Sequence, residues 1–439
     1  GSSILRASHW DNPENAGYSM KISLCAAGLL MLSLRFACAD ELAALQERAL
    51  QANPALEAAR RKWEATRARV GSERSLPDPM VGADWERNST RFSDRMDVEF
   101  MVQQDLPGWG KRGAKTKAAR LAAEAAGFRY LEAARGLRSE VAQEWWELWA
   151  RTRSVAAMDG NVASMRQMER AALSRYETGD AMLSEVLRVQ AGLARMSNEL
   201  VTMEREVDVA RTALNRLVNA PPETPRAVPD DLDDPLLPPS LEALQQQARQ
   251  YCCILLSFLR EQESKAAAAR AARVERRPDW QLRVEGRQLE GSNGIDEYDT
   301  GVFLNIPWIW QGKYTSAIRE AEADRAMAEA EFQDEVNKTL WEIQDIYTMA
   351  EAARRQSHAF TESILPRMRQ ALESALSAYQ TGQGTYLEVQ ESVRGLRESE
   401  LDYYRIRADF AQKVAKLNAI AAPWGDFERS TGLIADDMK

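Results

Sequence analysis

Apolar residues along this chain follow two different periods, and the same succession of periods occurs twice. From about Asp40 to Glu73 the apolar positions Leu42, Leu45, Leu56 and Trp63 fall on one helical face, and Leu76-Pro77-Asp78-Pro79 ends the run. From Met80 the period drops to two. Val81, Ala83 and Trp85 alternate with Gly82, Asp84 and Glu86, the pattern of a strand with one apolar and one polar face. A polar stretch, Asn88 to Arg95, leads to a return strand with Met96, Val98, Phe100 and Val102 on one side and Asp97, Glu99, Gln103 and Asp105 on the other. A helix is predicted to start near Gly113 and to run to Tyr176, since the lone Gly127, Gly136 and Gly160 only weaken it. It breaks at Tyr176-Glu177-Thr178-Gly179-Asp180 and returns from about Ala181 to Asn219. That is a helical hairpin with Gly179 at its tip, where a helix commonly ends on a left-handed residue.

The second half replays the first. After a stiff Pro-rich linker, Leu241 to Val274 reads as helix and Pro278-Asp279 echoes Pro77-Asp78. Trp280, Leu282 and Val284 then alternate with Gln281, Arg283 and Glu285, and Val302, Leu304 and Ile306 with Gly301, Phe303 and Asn305. Ile306-Pro307 matches Leu106-Pro107, and Gly312-Lys313 matches Gly110-Lys111. A second long helix runs to Tyr379-Gln380-Thr381-Gly382-Gln383, and a last one reaches about Ala421.

Four strands of about nine residues are the right length to cross a bilayer tilted. Unpaired edges are prohibitive in lipid, and membrane barrels need at least about eight strands. One chain cannot close a barrel. Two chains would give a plug filled by side chains, and three give twelve strands with a lumen, so a homotrimer is the smallest open solution. The fold class that follows is mainly α with a small β part. Duplicated long helical hairpins form a trimeric α-barrel, and four strands per chain contribute to a twelve-stranded membrane β-barrel. Trp85, Trp109, Trp280, Trp308 and Trp310 are candidate membrane-interface aromatics. By the alternation, Asp84, Glu86, Asp97, Glu99, Glu285 and Asp299 face the lumen with only Arg283 opposing, which predicts a pore that favours cations.

Chemistry adds mainly exclusions. The net charge of -9 gives no reason to expect a nucleic-acid partner, and two histidines, His9 and His358, make a His-built metal or catalytic site improbable. No nucleophile-base pair or metal-ligand cluster stands out, so neither an enzyme nor a cofactor is expected. Gly108-Trp109-Gly110-Lys111-Arg112-Gly113 fits the dinucleotide-binding spacing, but a helix this long cannot return to a parallel strand, and a tight strand-to-helix turn explains both copies. Cys252-Cys253 reads as a pair of buried small hydrophobes. Met20-Lys21, the apolar run Ile22 to Leu34 and Ala37-Cys38-Ala39 have the layout of a secretory signal. Arg35 and Phe36 do not suit a lipid-attachment signal at Cys38. The chain thus divides into a leader extension or mis-assigned start (1–19), a signal peptide (20–39), a first repeat (40–220), a linker (221–239), a second repeat (240–422) and a tail (423–439).

The mature chain, over about residues 40 to 422, resembles the TolC-like outer membrane factors, closest to the heavy-metal and multidrug efflux branch. The residues that carry the resemblance are Asn53-Pro54, Leu76-Pro77-Asp78-Pro79, Gln104 to Arg112 and the two Tyr-x-Thr-Gly turns. The resemblance implies a trimer in the outer membrane, a long periplasmic helical tunnel closed at its tip, and docking onto an adaptor (membrane fusion) protein of an inner-membrane pump. Tyr176, Thr178, Gly179 and Asp180, with Tyr379, Thr381, Gly382 and Gln383, are then the candidate adaptor-docking tips. Asp180 is a candidate acidic gate residue, although the second copy has Gln383. The expected function is a passive outer membrane conduit of a tripartite efflux system for metal cations or small toxic molecules. A duct for type I protein secretion and a non-transporting periplasmic coiled coil are the alternatives.

Overall fold

A computed structural model describes residues 41–88, 95–238, 240–289, 291–425 and 428–429. The predicted leader and signal peptide lie outside the described residues. The chain runs through helix α1 (41–52), α2 (Pro54–Arg74), strands β1 (Met80–Asn88) and β2 (Arg95–Leu106), then α3 (Lys111–Glu177) and α4 (Leu183–Leu217). After the linker come α5 (Leu241–Tyr251), α6 (Cys253–Val274), β3 (Trp280–Gln288), β4 (Glu297–Leu304) and α7 (Gln311–Ala359). A π-helical segment, Phe360–Ile364, joins α7 to α8 (Leu365–Gln380), and α9 (Tyr386–Ala421) follows. The chain is mainly helical, with four antiparallel strands in the order β1-β2-β3-β4.

The fold has two compact units, and each draws on both sequence repeats. One holds the described residues of 1–53, 137–237 and 350–415; the other holds 54–136, 238–349 and those of 416–439. The first unit packs its hairpins along a methionine-rich seam. Met158, Val162, Met165, Met168 and Ala172 of α3 meet Val186, Val189 and Met196 of α4, Leu372 and Tyr379 of α8, and Val389, Val393 and Leu396 of α9. The second unit contains the sheet and the helix ends that lead into and out of it.

Several boundaries differ from those expected, each for a local reason. The helix predicted from Asp40 to Glu73 is interrupted at Asn53, because Pro54 disfavours the helical conformation in the residue before it. The freed Asn53 side chain donates to the Leu217 carbonyl at 2.9 Å. The helix expected from Leu241 to Val274 also breaks, at Cys252, whose backbone is extended (φ -70°, ψ 113°). There the Glu132 carboxylate accepts the Ile254 N–H at the start of α6, a cap supplied by another helix. Cys252 and Cys253 are free and buried, and burial pushes the Cys252 thiol up to about 11. The return strand of the second repeat lies earlier than expected and leaves Ile306 outside it: Asn305, next in register, donates its N–H to the Asp279 carbonyl (3.2 Å), but its side-chain oxygen instead of its carbonyl accepts the Asp279 N–H (2.7 Å), which ends the ladder.

The second long helix is not uniform. Tyr176 follows Lys111 by 65 positions, whereas Tyr379 follows the matching Lys313 by 66. Val141 and Ile343, 30 positions after those lysines, are both fully buried, so the repeats are still in step there. The extra residue is taken up at Phe360–Ile364, where the Leu365 N–H reaches back to the Phe360 carbonyl in the wide π-helical manner. Pro366, lacking an N–H, follows immediately.

The described part of the segment that reads as a tail, 423–425 and 428–429, is docked. Trp424 and Glu428 are buried. Arg135 holds this segment: its guanidinium stacks 4.7 Å from the Trp424 ring centre, pairs with Glu428 at 3.2 Å and donates to the carbonyls of Ala422 (2.9 Å) and Tyr251 (3.0 Å). Replacing Arg135 by Met is expected to destabilise this segment by about 1.5–3 kcal/mol, the contribution of a hydrogen bond to a charged group, because the buried Glu428 loses its ion pair with the guanidinium. Thermal unfolding and proteolysis of the C-terminal segment would measure it, and an unchanged melting temperature would contradict the assignment.

Candidate functional site: strand faces and hairpin tips

The sheet has two chemically distinct faces, and the strand register fixes which residues share them. On one face Val81 pairs with Val102, Ala83 with Phe100 and Trp85 with Val98. Leu106 pairs with Trp280, Val102 with Val284, and Leu282 with Val302. This apolar face is the open one: Val81 is 79% exposed and Val302 67%. The opposite face carries Asp84 opposite Glu99 and Glu285 opposite Asp299, and Glu86 is in register with Asp97.

The charge on that second face is more balanced than the sequence expectation. Arg283 pairs with Glu285 at 3.1 Å and donates to Gln103 at 3.3 Å. Arg287, absent from the sequence-based set although it continues the alternation, lies on the same face and pairs with Glu99 at 3.4 Å and Glu297 at 4.0 Å. Asp84 and Asp299 are exposed. Among the described side chains two arginines therefore oppose the acids, not one, and Glu297 joins the acidic set.

All five candidate aromatics are exposed, with Trp109 at 88% and Trp310 at 76%. Their positions divide them. Trp280, Trp109, Trp308 and Trp310 lie at the end where the strands meet helices, while Trp85 is the sixth residue of β1, about 17 Å along the strand. Exposed Tyr298 and Phe100 share the apolar face near that level, because Gly286 pairs with both. The aromatics thus bracket an aliphatic band.

The strand-to-helix turn is braced by the other repeat. The Gly108 N–H donates to Asp279 Oδ1 at 2.7 Å, and Lys111 Nζ, almost fully buried, reaches Asp279 at 2.8 Å and Glu275 at 3.3 Å. A Cβ on Gly108 would sit 2.3 Å from the Pro278 carbonyl oxygen, so this position tolerates only glycine. Burial pushes the Asp279 carboxyl up, but the Gly108 N–H, Lys111 and Asn305 outweigh it and hold it below the usual carboxylate range. The amide that a dinucleotide phosphate would need is already taken.

At the two tips the backbone is nearly the same. Gly179 (φ 85°) and Gly382 (φ 77°) are left-handed, and the N–H groups of Asp180 and Gln383 reach back to the carbonyls of Arg175 (2.8 Å) and Ala378 (2.9 Å). Thr178 Oγ1 donates to Asp180 Oδ2 at 2.8 Å, and Thr381 Oγ1 to the Ala378 carbonyl at 3.1 Å. The side chains differ. Tyr379 is fully buried and its hydroxyl donates to Glu185 Oε1 at 2.7 Å, while Arg175 stacks over the ring at 4.9 Å and lies 3.7 Å from Glu185. Burial, then the Glu185 carboxylate, holds the Tyr379 phenol well above its usual range, so it stays a donor. Tyr176, its counterpart, is 45% exposed.

Helix capping explains why Glu185 is available. In the second hairpin Thr385 and Glu388 form a reciprocal cap: the Thr385 N–H donates to Glu388 at 2.9 Å and the Glu388 N–H to Thr385 Oγ1 at 3.4 Å. Met182 stands in the Thr385 position of the first hairpin and makes no side-chain cap, leaving Glu185 to receive Tyr379. The capping pattern Thr-x-x-Glu is readable in sequence; the partner of the uncapped glutamate is not. Among the described residues no helix is long and apolar enough to cross a membrane, and no group of three His, Cys, Asp or Glu is placed to hold a metal ion.

An apolar-faced four-stranded sheet with aromatic borders, joined to long paired helices, is the architecture this chain shares with outer membrane channels. The chain belongs to the outer membrane efflux protein family, whose model matches residues 45–220 and 245–422, once in each repeat. It is an outer membrane efflux channel of the TolC-like type and not an enzyme. It is 24% identical over 373 residues to the cobalt-zinc-cadmium resistance protein CzcC of Cupriavidus metallidurans, covering 83% of this chain and 86% of that one. Its fold matches the crystal structure of the outer membrane protein VceC from Vibrio cholerae (TM-score 0.74, 21% identity, 87% of this chain and 96% of that one). It also matches the CmeC outer membrane channel of Campylobacter jejuni (TM-score 0.75, 14% identity, 91% and 90%).

Proposed function

We propose that three copies of this chain close a twelve-stranded barrel and serve as the passive outer membrane duct of a tripartite efflux system. The observation that carries the reading is the sheet itself: β1 and β4 are its two edges, and its apolar face is open. Edge N–H and C=O groups cannot remain unpaired in hydrocarbon, so β1 of one copy pairs with β4 of the next until the ring closes. The acid-rich face lines the lumen, and the hairpin tips meet the periplasmic adaptor, which links the duct to an inner-membrane pump. Metal cations are the favoured cargo, supported by the acidic face and by the relative named for cobalt, zinc and cadmium resistance.

The protein is expected to sediment with outer membranes and to run as a trimer in mild detergent. Cysteines placed on β1 and β4 should cross-link it into a covalent trimer, although the two strands are opposite edges of one chain. A monomer in every detergent would refute the assembly. Strains lacking the protein should become sensitive to cobalt, zinc or cadmium; unchanged resistance with loss of a secreted protein would point to a secretion duct instead.

A further inference from the structure

The chain as a whole is acidic, yet one cleft beside the sheet is strongly basic. A cavity of about 710 Å³ between the end of α2, the first turns of α3 and α6 is lined by Arg74, Arg112, Lys117, Arg120 and Arg260, with Glu124 as its single acid. Glu124 is already shared by Arg120 and Arg260, each at 3.4 Å, and Arg260 also engages Glu263 at 2.6 Å. Arg74, Arg112 and Lys117 are exposed and make no ion pair with any described residue. Three cations thus converge on one cavity without an ion-pair partner among the described residues.

The place of the cleft narrows the choice of ligand. Arg74 lies six positions before β1, and Arg112 three positions after the exposed Trp109, at the end of the sheet where Trp280, Trp308 and Trp310 also lie open. At about 1.5 Å per helical residue, Lys117 stands only ~9 Å beyond Lys111. That depth falls within or just below the headgroup layer, which adds roughly 5–8 Å to each side of the hydrocarbon core. Guanidinium groups match phosphate oxygens in a two-pronged geometry. We propose that this cleft binds the phosphate of an anionic phospholipid in the periplasmic leaflet, with the acyl chains running up the apolar strand face beside the tryptophans. The bound lipid fixes the depth of the channel in the membrane. A free phosphate ion would meet the same cations but would make no use of the adjoining apolar band.

The test uses the purified full chain, assembled in neutral detergent, with native mass spectrometry and thermal unfolding as readouts. Phosphatidylglycerol, phosphatidylcholine and inorganic phosphate are the three additives. Each basic residue near an anionic lipid surface strengthens attraction about fivefold. The wild type should therefore retain phosphatidylglycerol at least tenfold over phosphatidylcholine and melt higher with it. The triple variant Arg74→Gln, Arg112→Gln, Lys117→Gln should lose that preference yet assemble and melt unchanged without lipid. Neutralising Arg166, Arg170 and Arg354, exposed arginines of the other unit, should leave the preference intact. If the triple variant does not assemble, the single Arg112→Gln and Lys117→Gln variants, each expected to lose about fivefold, decide in its place. Equal retention of the two lipids, a preference that survives the cleft variants, or the same stabilisation by inorganic phosphate would each overturn the proposal.

Discussion

Replacing Glu185 by Ala is expected to raise the conductance of the reconstituted channel and to sensitise cells to large antibiotics. The hydroxyl of fully buried Tyr379 loses its acceptor, and Arg175 loses the carboxylate 3.7 Å away, so the charged link between the first and second hairpins at their tips is gone, while the Tyr386 hydroxyl on the Arg188 carbonyl (3.3 Å) remains. A hydrogen bond to a charged group contributes about 1.5–3 kcal/mol. Removing it shifts a closed-to-open equilibrium by roughly one to two orders of magnitude. Tyr379→Phe should do the same while keeping the ring in place, which separates the hydrogen bond from packing. Tyr176→Phe is the matched control, because the hydroxyl of this exposed tyrosine of the first tip makes no hydrogen bond with a described residue. Single-channel recordings in which Tyr379→Phe behaves like wild type would remove the tip link from the gate.

A second large effect is expected in the lumen. Neutralising Asp84 and Asp299 together should cut the cation-to-anion permeability ratio more than neutralising Glu99 and Glu285, although each pair removes two charges per chain. Glu99 and Glu285 are already compensated by Arg287 at 3.4 Å and Arg283 at 3.1 Å, whereas Asp84 and Asp299 are exposed and have no ion pair with a described residue. Potentials focused by a charged cleft alter local ion concentration by about tenfold or more. Three chains would place six uncompensated carboxylates around one pore. Reversal potentials in a salt gradient measure the ratio, and equal shifts for the two variants would show that the arginine pairs do not matter.

Much of this architecture was legible because its determinants are local. Strand alternation from Val81 to Trp85 needs only a period of two, and Tyr-x-Thr-Gly marks both tips because a left-handed residue there wants glycine. Arg287 was equally legible, since it follows Arg283 and Glu285 on the same alternating face. What stayed hidden depends on partners distant in sequence. Nothing around Cys252 announces a helix break, and the carboxylate that meets the Ile254 N–H beyond it, Glu132, lies on α3. Tyr176 and Tyr379 sit in near-identical motifs, yet one is exposed and the other buried. Their difference comes from Arg175 and Glu185, which only folding brings to Tyr379. Trp424 looked like tail because its partner, Arg135, lies in the first repeat.

The π-helical segment at Phe360–Ile364 has a consequence for the phase of everything beyond it. Each residue added to an α-helix turns the following side chains by about 100°. An extra residue in an unbroken helix would swing Tyr379 away from the first hairpin and present another face to Glu185. Gathered into one wide turn, the same residue leaves the two tips aligned to the glutamate that joins them. The segment acts as a local slack in the screw, so the duplicated arms can differ in length while their ends still meet. Deleting one residue inside it should therefore disturb the tip less than deleting one from the regular helix on either side.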